Sequence, residues 1–317
     1  ARGFDYYTST VFEIFDKEKS LRSIVGGGRY ESLVEDVGGE RLPGIGFGLG
    51  DVTFIKGDVC SKDELRYGFL HGPFDAVIHF AALTEVREAI ARPMDYYDVN
   101  LIGGINLLQV MLEFGVKRIV FSSSCSVYGM PDVEVISEDT PPCPITPYGR
   151  AKYFFEEILK DYNRAYDVRF VSLRYFNAAG AAFDGTLGES HYPETHLIPR
   201  IFKALLGRIP CFEIFGTDYP TPDGTCIRDF VHVLDIADAH LKAIDALFDE
   251  LKAKFYNVGS GTGYSVRQII EAVERITGRR VPVKEGPRRQ GDPPRLGASS
   301  KLIEKELGWR PRFSSLK

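Results

Sequence analysis

A tyrosine, a lysine and a serine have the types and the spacing of an acid–base site. Tyr148 and Lys152 are four residues apart, so on a helix both side chains lie on one face. Ser124 ends the apolar run KRIVFSSS, and parallel sheets bind their ligands at the carboxyl ends of strands. A Y-x-x-x-K pair alone is weak, because a chain with 16 tyrosines contains about one by chance, usually as an exposed helix start. Together with Ser124, the pair predicts a catalytic trio.

The chemistry of this trio depends on the tyrosine, which acts as a general base only as its phenolate. A free phenol has a pKa of about 10, and burial raises the pKa further. Bringing the pKa to about 7 requires about 4 kcal/mol of preferential stabilisation of the anion. Two neighbouring positive charges can supply this, and Lys152 is one of them. We expect Ser124 to hydrogen-bond the reacting hydroxyl group and to help pass its proton to Tyr148.

The elements that position the trio alternate between strands and helices from Val52 to about Arg174. This alternation predicts an α/β fold with a doubly wound parallel, Rossmann-like sheet over 51–177. After Asn177 the elements shorten, which predicts a smaller α/β substrate domain over 178–317, with segments that cross back to the first domain. The predicted strands are VTFIKGDV, FDAVIHF, KRIVFSSS and VRFVSLRY, and the predicted helices are Met94–Phe114, Tyr148–Tyr162, Leu197–Leu206, Leu234–Phe248 and Ser265–Ile276.

Residues 1–50 form a different kind of sequence, with ten of the 32 glycines. We predict strands over Tyr6–Phe15 and Leu21–Val25, a glycine turn over 26–28 and a helix over Arg29–Val37. The run PGIGFGLG predicts a further strand or turn. This strand–turn–helix unit is foreign to the α/β pattern that follows it.

Composition limits the function classes. A formal net charge of −5 provides no basic field, so no nucleic-acid partner is expected. No apolar run reaches about eighteen residues and the start ARGFDYYTST has no leader character, so we expect no membrane contact and a cytoplasmic protein. Six histidines show no spacing such as H-E-x-x-H, so no metal site is expected. The odd number of cysteines predicts free thiols in a reducing compartment. They are Cys60, Cys125, Cys143, Cys211 and Cys226.

A series of motifs follows Val52 in order: VIHFAALTEVREAI, DVNLIGGINLL, FSSSCSVYG, PYGRAK, RYFNAAGA, GESHYPETHLIPR, GTDYPTPDGTCIRDFVHVLDIADAH, YNVGSGTGYSV, RRQGDPP and LGWRP. Through them, residues 52–317 resemble the extended short-chain dehydrogenase/reductase family, and more narrowly the UDP-glucose 4-epimerases. The resemblance implies an NAD-dependent isomerase that interconverts UDP-glucose and UDP-galactose through a 4-keto intermediate. It implies a tightly bound NAD that is not consumed, whose oxidised nicotinamide ring is the second positive charge near Tyr148. It also implies a homodimer through the helices that contain Asp95–Phe114 and Tyr148–Tyr162.

The same resemblance assigns roles to residues. Ser124, Tyr148 and Lys152 would be catalytic, with Tyr148 taking the proton of the sugar 4-hydroxyl. The cofactor-binding residues would be Asp58 and Val59 at the adenine, Phe80, Ala81 and Ala82 at the phosphates and ribose, and Asn100, Ser122, Tyr148, Lys152 and Tyr175 around the nicotinamide ribose. The UDP-sugar site would be lined by Asn177, His196, Leu197, Arg228, Arg289 and Asp292. Arginine suits that site because its planar fork meets two phosphate oxygens, whereas a lone arginine is more often a solvated surface charge.

The glycine-rich fingerprint with which this family begins is absent. It consists of a strand, the run T-G-G-x-G-x-x-G and a helix whose N-terminus holds the pyrophosphate. The nearest substitute is SIVGGGRYESLVEDV, where Gly26 and Gly28 would take the first two glycine positions. The third position would fall on Glu31, whose bulk and charge oppose helix packing and pyrophosphate binding. Retention of NAD by this chain is therefore left open.

Residues 1–50 resemble class II histidyl-tRNA synthetase through RGFDYYTSTVFEIF, GGGRYESLVEDVGG and PGIGFGLG. Motifs 1 and 2 of that family are absent, and PGIGFGLG continues into Asp51 and Val52 instead of Glu-Arg, which argues against aminoacylation. The abrupt joint and the missing initiator Met indicate a chimera. Three interpretations are therefore carried forward: an active epimerase, a catalytically inert chimera made to test folding, and an aminoacyl-tRNA synthetase fragment.

Overall fold

The computed structural model describes residues 55–315 except 186, 190, 192–193, 250 and 290–291, and the backbone of three short strands before them. The strands are β1 Phe12–Ile14, β2 Arg29–Tyr30, β3 Gly44–Ile45, β4 Val77–His79, β5 Arg118–Ser124, β6 Arg169–Tyr175, β7 Asn177–Ala179, β8 Phe212–Phe215, β9 Ile227–His232, β10 Ala253–Val258, β11 Gly263–Ser265, β12 Val283–Gly286 and β13 Arg295–Leu296. The α-helices are α1 Lys62–Phe69, α2 Val86–Ala91, α3 Pro93–Tyr97, α4 Gly103–Glu113, α5 Pro147–Tyr166, α6 Leu197–Leu205, α7 Val233–Phe248, α8 Val266–Thr277 and α9 Lys301–Leu307.

The central sheet has the strand order β1-β4-β5-β6-β10. Strands β4, β5, β6 and β10 run parallel, with Val77 opposite Ile119 and Ser124 opposite Tyr175. Their near-continuous apolar runs are buried on both sides, since one face packs against α4 and α5 and the other against α7 and α9. Helices on both faces of a parallel sheet form the doubly wound arrangement, so the predicted fold class is confirmed.

Helix α5, which carries Tyr148 and Lys152, has defined ends. The Thr146 hydroxyl accepts a hydrogen bond from the Gly149 N–H at 3.1 Å, and Pro147 occupies the first turn, where a missing N–H costs nothing. Asp167 ends the helix in the left-handed conformation, at φ 57°. The helix extends past the predicted end at Tyr162.

The helix predicted over Met94–Phe114 is interrupted. It consists of α3, a π-helical turn over Asp98–Ile102, and α4. The wider turn contains Asn100, whose side chain is 1% exposed. Turns of this kind occur often at functional sites.

The elements near the N-terminus differ in part from the prediction. Strand β1 lies within the predicted strand Tyr6–Phe15, and it pairs antiparallel with β4, placing Phe12 opposite His79. The helix predicted from Arg29 is wrong at its start, because β2 is extended and its backbone bonds with β3 replace internal helical bonds. The predicted strand Leu21–Val25 and the glycine turn over 26–28 lie outside the described residues.

The strand predicted over VTFIKGDV is also wrong where the structure describes it, since the backbone from Ile55 to Asp58 is irregular. The backbone of this segment makes hydrogen bonds with side chains instead of with a neighbouring strand. The Asp58 N–H donates to Glu64 Oε2 at 2.8 Å, and Asn106 Nδ2 donates to the Val59 carbonyl at 3.3 Å.

The chain after Asn177 forms smaller layers. Strands β7, β9, β11 and β13 make one sheet, and β8 pairs with β12 in another that packs on α6 and α8. Helix α7 and strand β10 belong to the central layer. Among the helices described, none combines the length and the apolarity needed to span a membrane.

Candidate active site

The predicted trio converges at the carboxyl end of β5. Ser124 is the last residue of β5, and Tyr148 and Lys152 face it from the first two turns of α5. Lys152 Nζ lies 5.9 Å from the centre of the Tyr148 ring. Ser124 and Tyr148 each expose 8% of their surface and Lys152 exposes 3%, so water is largely excluded from the group.

The electrostatics of Tyr148 follow the expected direction for a buried phenol. Burial raises the pKa of Tyr148, Tyr175 raises it further, and a hydrogen bond with the Ser124 side chain acts in the opposite direction. Tyr148 is therefore a neutral hydroxyl at neutral pH in the protein alone. The anion would require an additional positive charge at the site, as the sequence indicated.

Lys152 is held by the end of β5. Its Nζ donates to the Ser122 carbonyl at 2.8 Å and lies 4.8 Å from the centre of the Phe121 ring. Burial lowers the pKa of Lys152 to about 7, although Glu156 acts to raise it. The ammonium is thus only partly charged at neutral pH, and a bound anion or polar ligand would favour its charged form.

A residue that the sequence analysis missed, His240 on α7, supports Ser122. Its Nδ1 lies 2.9 Å from the Ile236 carbonyl and its Nε2 lies 3.0 Å from the Ser122 hydroxyl. Burial lowers the pKa of His240 to about 4, so the ring is neutral, Nδ1 donates to Ile236, and Nε2 accepts from Ser122. Ser122 also hydrogen-bonds Tyr175, whose pKa burial raises. The sequence feature that could have identified His240 is its position on the apolar face of the helix that contains DIADAH.

The loop after β4 contains Phe80, Ala81 and Ala82, the last two nearly fully buried. Asn100 fixes this loop through Leu83, because its Oδ1 accepts from the Leu83 N–H at 2.7 Å and its Nδ2 donates to the Leu83 carbonyl at 2.9 Å. In this structure Asn100 therefore positions the loop.

The predicted adenine contacts, Asp58 and Val59, lie on the irregular segment before α1. Asp58 is exposed, with its carboxylate accepting from the Cys60 N–H at 2.8 Å. Val59 is 2% exposed. It lies against Gly103, where an added Cβ would come within 2.7 Å of Val59 Cγ2.

These strand ends fit the nicotinamide half of a dinucleotide. Lys152 retains two N–H donors beyond the one given to Ser122, and the buried Ser123 hydroxyl has no hydrogen-bond partner among the described residues. The fit is poorer for the pyrophosphate half. Strand β1 is antiparallel to β4, so β1 ends beside the start of β4, away from the strand ends where Ser124 lies. The family fingerprint requires a strand that leads into a glycine turn at the ligand edge. Gly26 and Gly28 themselves lie outside the described residues.

Three of the predicted UDP-sugar residues form one group. Arg289 Nε donates to Asp292 Oδ2 at 2.7 Å, and Arg228 NH2 lies 3.7 Å from Asp292 Oδ1. Burial raises the pKa of Cys125 to about 11 and Arg228 opposes this, so the group lies within electrostatic range of the residue after Ser124. Asn177 donates to the Asp229 carbonyl at 2.9 Å and joins β7 to β9.

His196 and Leu197 lie at the start of α6. His196 precedes the helix, and its Nδ1 contacts Glu189. The hydrogen bond with Glu189 raises the pKa of His196 against burial, and Glu85 on the loop after β4 also raises it.

Comparison with known proteins gives the following similarities. Residues 29–259 match the NAD dependent epimerase/dehydratase family, and residues 1–51 match histidyl-tRNA synthetase. A UDP-glucose 4-epimerase of Streptococcus mutans is 48% identical over 83% of this chain and 79% of its own length. A structure of the Brucella ovis UDP-glucose 4-epimerase in complex with NAD is 44% identical, with a TM-score of 0.82 over 84% of this chain and 82% of that one. A Bifidobacterium longum UDP-glucose 4-epimerase in complex with NAD+ and UDP is 40% identical, with a TM-score of 0.80 over 84% and 80%.

Proposed function

Because this chain belongs to the NAD dependent epimerase/dehydratase family, we propose that it is an isomerase that interconverts UDP-glucose and UDP-galactose through a 4-keto intermediate. The observation that carries the proposal is the buried trio of Ser124, Tyr148 and Lys152 at the carboxyl end of β5. Support also comes from the position of the trio, which faces the loop that Asn100 holds.

NAD, when bound, supplies the chemistry of accepting a hydride from C4 of the sugar and returning it. Asn100, Ser122, Tyr148, Lys152 and Tyr175 would hold its nicotinamide half. The residues of the chain itself transfer the proton. Tyr148 Oη takes the proton from the sugar O4 and later returns it, while Ser124 is hydrogen-bonded to the sugar O4. Lys152 favours the phenolate, because its ammonium is the positive charge that the protein contributes.

The diphosphate of the substrate would bind near Arg228 and Arg289. Both guanidinium groups now lie near the single carboxylate of Asp292, so an arriving diphosphate has two cations to share with it. We propose that 178–317 supplies this part of the site and that 51–177 supplies the NAD part.

The test is conversion of UDP-galactose by the purified full-length chain, followed by NMR of the sugar signals with and without added NAD. We expect UDP-glucose to appear, and Tyr148→Phe to slow the reaction by roughly 10²- to 10⁴-fold. The matched control is Tyr166→Phe on the same helix, since Tyr166 is 50% exposed and far along α5. Absence of conversion with added NAD, equal in wild type and Tyr148→Phe, would reject the proposal.

A catalytically inert chimera is the second candidate. The match of residues 1–51 to histidyl-tRNA synthetase and the antiparallel direction of β1 favour it. Mass spectrometry of the nucleotide released on denaturation separates the two, because an inert chimera releases no NAD and shows no conversion.

We further propose a cytoplasmic homodimer with no nucleic-acid or membrane partner. The dimer is supported by exposed apolar side chains next to and on α4 and α5, with Ile102 at 47% and Phe154 at 43% exposure. The five free cysteines support a reducing compartment. Sedimentation equilibrium should give twice the chain mass, and Phe154→Glu should shift it toward the monomer.

A further inference from the structure

A cluster of two glutamates and two histidines precedes α6. Glu189, His191, Glu194 and His196 each present a ligand atom, and these atoms all lie within 4.8 Å of one another. The sequence pattern is E-x-H-x-x-E-x-H. Each histidine therefore follows a glutamate by two residues.

The distances between the four potential ligand atoms are close to those between the ligands of a metal ion. His191 Nδ1 lies 3.1 Å from Glu189 Oε1 and 3.9 Å from Glu194 Oε2, and His196 Nδ1 lies 3.6 Å from Glu194 Oε1. His196 Nδ1 also contacts Glu189. In a tetrahedral zinc site with bonds of about 2.0 Å, neighbouring ligand atoms are about 3.3 Å apart. Small side-chain movements would therefore bring all four atoms onto one ion.

Burial gives a second, independent indication. His191 Nδ1 is buried and interacts with Glu189, whose Oε1 lies 3.1 Å away. The Glu194 side chain is 3% exposed, and its Oε1 accepts from the His196 N–H at 2.8 Å. Glu189 and Glu194 carry like charges close together, and a divalent cation would bind both carboxylates and the two ring nitrogens at once.

We propose that Glu189, His191, Glu194 and His196 bind one divalent transition-metal ion of the zinc class. Two imidazoles and two carboxylates favour zinc over calcium or magnesium, which prefer oxygen ligands alone. The ion would clamp the segment before α6 and fix the orientation of His196, which the family resemblance places at the sugar nucleotide. The proposal does not depend on catalytic activity.

The test uses the full-length chain, dialysed against chelator and titrated with Co²⁺, whose four-coordinate complexes absorb visible light strongly. We expect one Co²⁺ per chain with a four-coordinate spectrum, displaced by Zn²⁺. His191→Gln and Glu189→Gln should each lower the affinity by at least the roughly 10- to 100-fold that loss of an outer-shell partner costs. His191→Cys should recover binding, because a thiolate is also a zinc ligand.

The matched control is His71→Gln, which changes an exposed histidine on the segment after α1 and should bind Co²⁺ like the wild type. Unchanged affinity in both Glu189→Gln and His191→Gln, or a weak six-coordinate spectrum in the wild type, overturns the proposal. Thermal unfolding of the metal-free variants should match the wild type. If one variant fails to fold, the other decides the question.

Discussion

Two buried polar regions lie under successive turns of α5 and are built differently. At the first, Lys152 and His79 are close enough for the lysine charge to lower the histidine pKa. At the second, one turn further along, Glu156 pairs with Arg174. Lys152, His79 and Glu156 are each at most 3% exposed and Arg174 is 5% exposed, so burial alone does not distinguish the two regions.

The Glu156 region is complete within the protein. Glu156 accepts from Ser172 at 2.7 Å and from Arg174 NH2 at 2.6 Å, and Arg174 NH1 donates to Tyr128 at 2.9 Å. Tyr128 in turn donates to Asn257 at 2.7 Å. Burial lowers the pKa of Arg174, but the ion pair with Glu156 more than offsets this, so the pKa is raised.

The Lys152 region is incomplete. Neither ring nitrogen of His79 has a hydrogen-bond partner in the part of the chain that the structure describes, and burial lowers its pKa to about 3. Burial also lowers the pKa of Lys152 to about 7. This contrast supports the proposal that the Glu156 end has a structural role and that the Lys152 end receives a ligand.

The largest effect should come from breaking the complete region. Glu156→Gln leaves the Arg174 charge buried without its partner, so the free energy of unfolding should fall by about 3–5 kcal/mol. Denaturant unfolding measures this. Glu157→Gln is the matched control, because its pair with Lys160 is about 40% exposed and should contribute at most about 1 kcal/mol. Equal effects of the two variants would show that the buried Glu156–Arg174 pair stabilises the protein no more than a partly exposed pair.

A substitution at His79 should stabilise the protein, in contrast to the substitution at Glu156. His79→Leu removes two unpaired buried nitrogens, so the free energy of unfolding should rise by about 1–3 kcal/mol at neutral pH. The wild type should also lose stability as the pH falls from the unfolded histidine pKa of about 6.5 toward 3, because only the unfolded chain binds the proton there. The variant should lack this loss. Unfolding curves between pH 4 and about pH 7 would contradict the idea if wild type and variant stay parallel.

The smallest expected effect is the change in the free energy of unfolding per pH unit that Lys152 causes. Its pKa is about 7 in the folded chain against an ordinary value of 10.5, so the unfolded chain binds more protons between these values and stability should rise with pH. The slope should exceed that of Lys152→Met by up to about 1.4 kcal/mol per pH unit. Denaturant midpoints at intervals between pH 7 and pH 9 measure the difference. A variant with the same slope as the wild type would show that Lys152 stays charged.

Much of the site was predictable because its spacing is local. The i and i+4 positions of Tyr148 and Lys152, and the strand that ends at Ser124, needed only helical and sheet geometry. The ends of α5 were less predictable, because Asp167 stops the helix in a conformation that usually favours glycine. The π-helical turn at Asn100 could not be predicted from neighbouring residues, because the side chain of Asn100 bonds to Leu83, which is distant in sequence.

Sequence periodicity and residue type were sufficient to predict the parallel α/β sheet and the helix face on which Tyr148 and Lys152 lie. Tertiary contacts alone determine the burial that lowers the pKa of Lys152, the partner of Ser122, the direction of β1 and the proximity of Glu189 to His191, Glu194 and His196. The physical reason is that periodicity sets which side chains share a face. Burial, charge and hydrogen bonding are set by residues distant in sequence, as His240 is from Ser122.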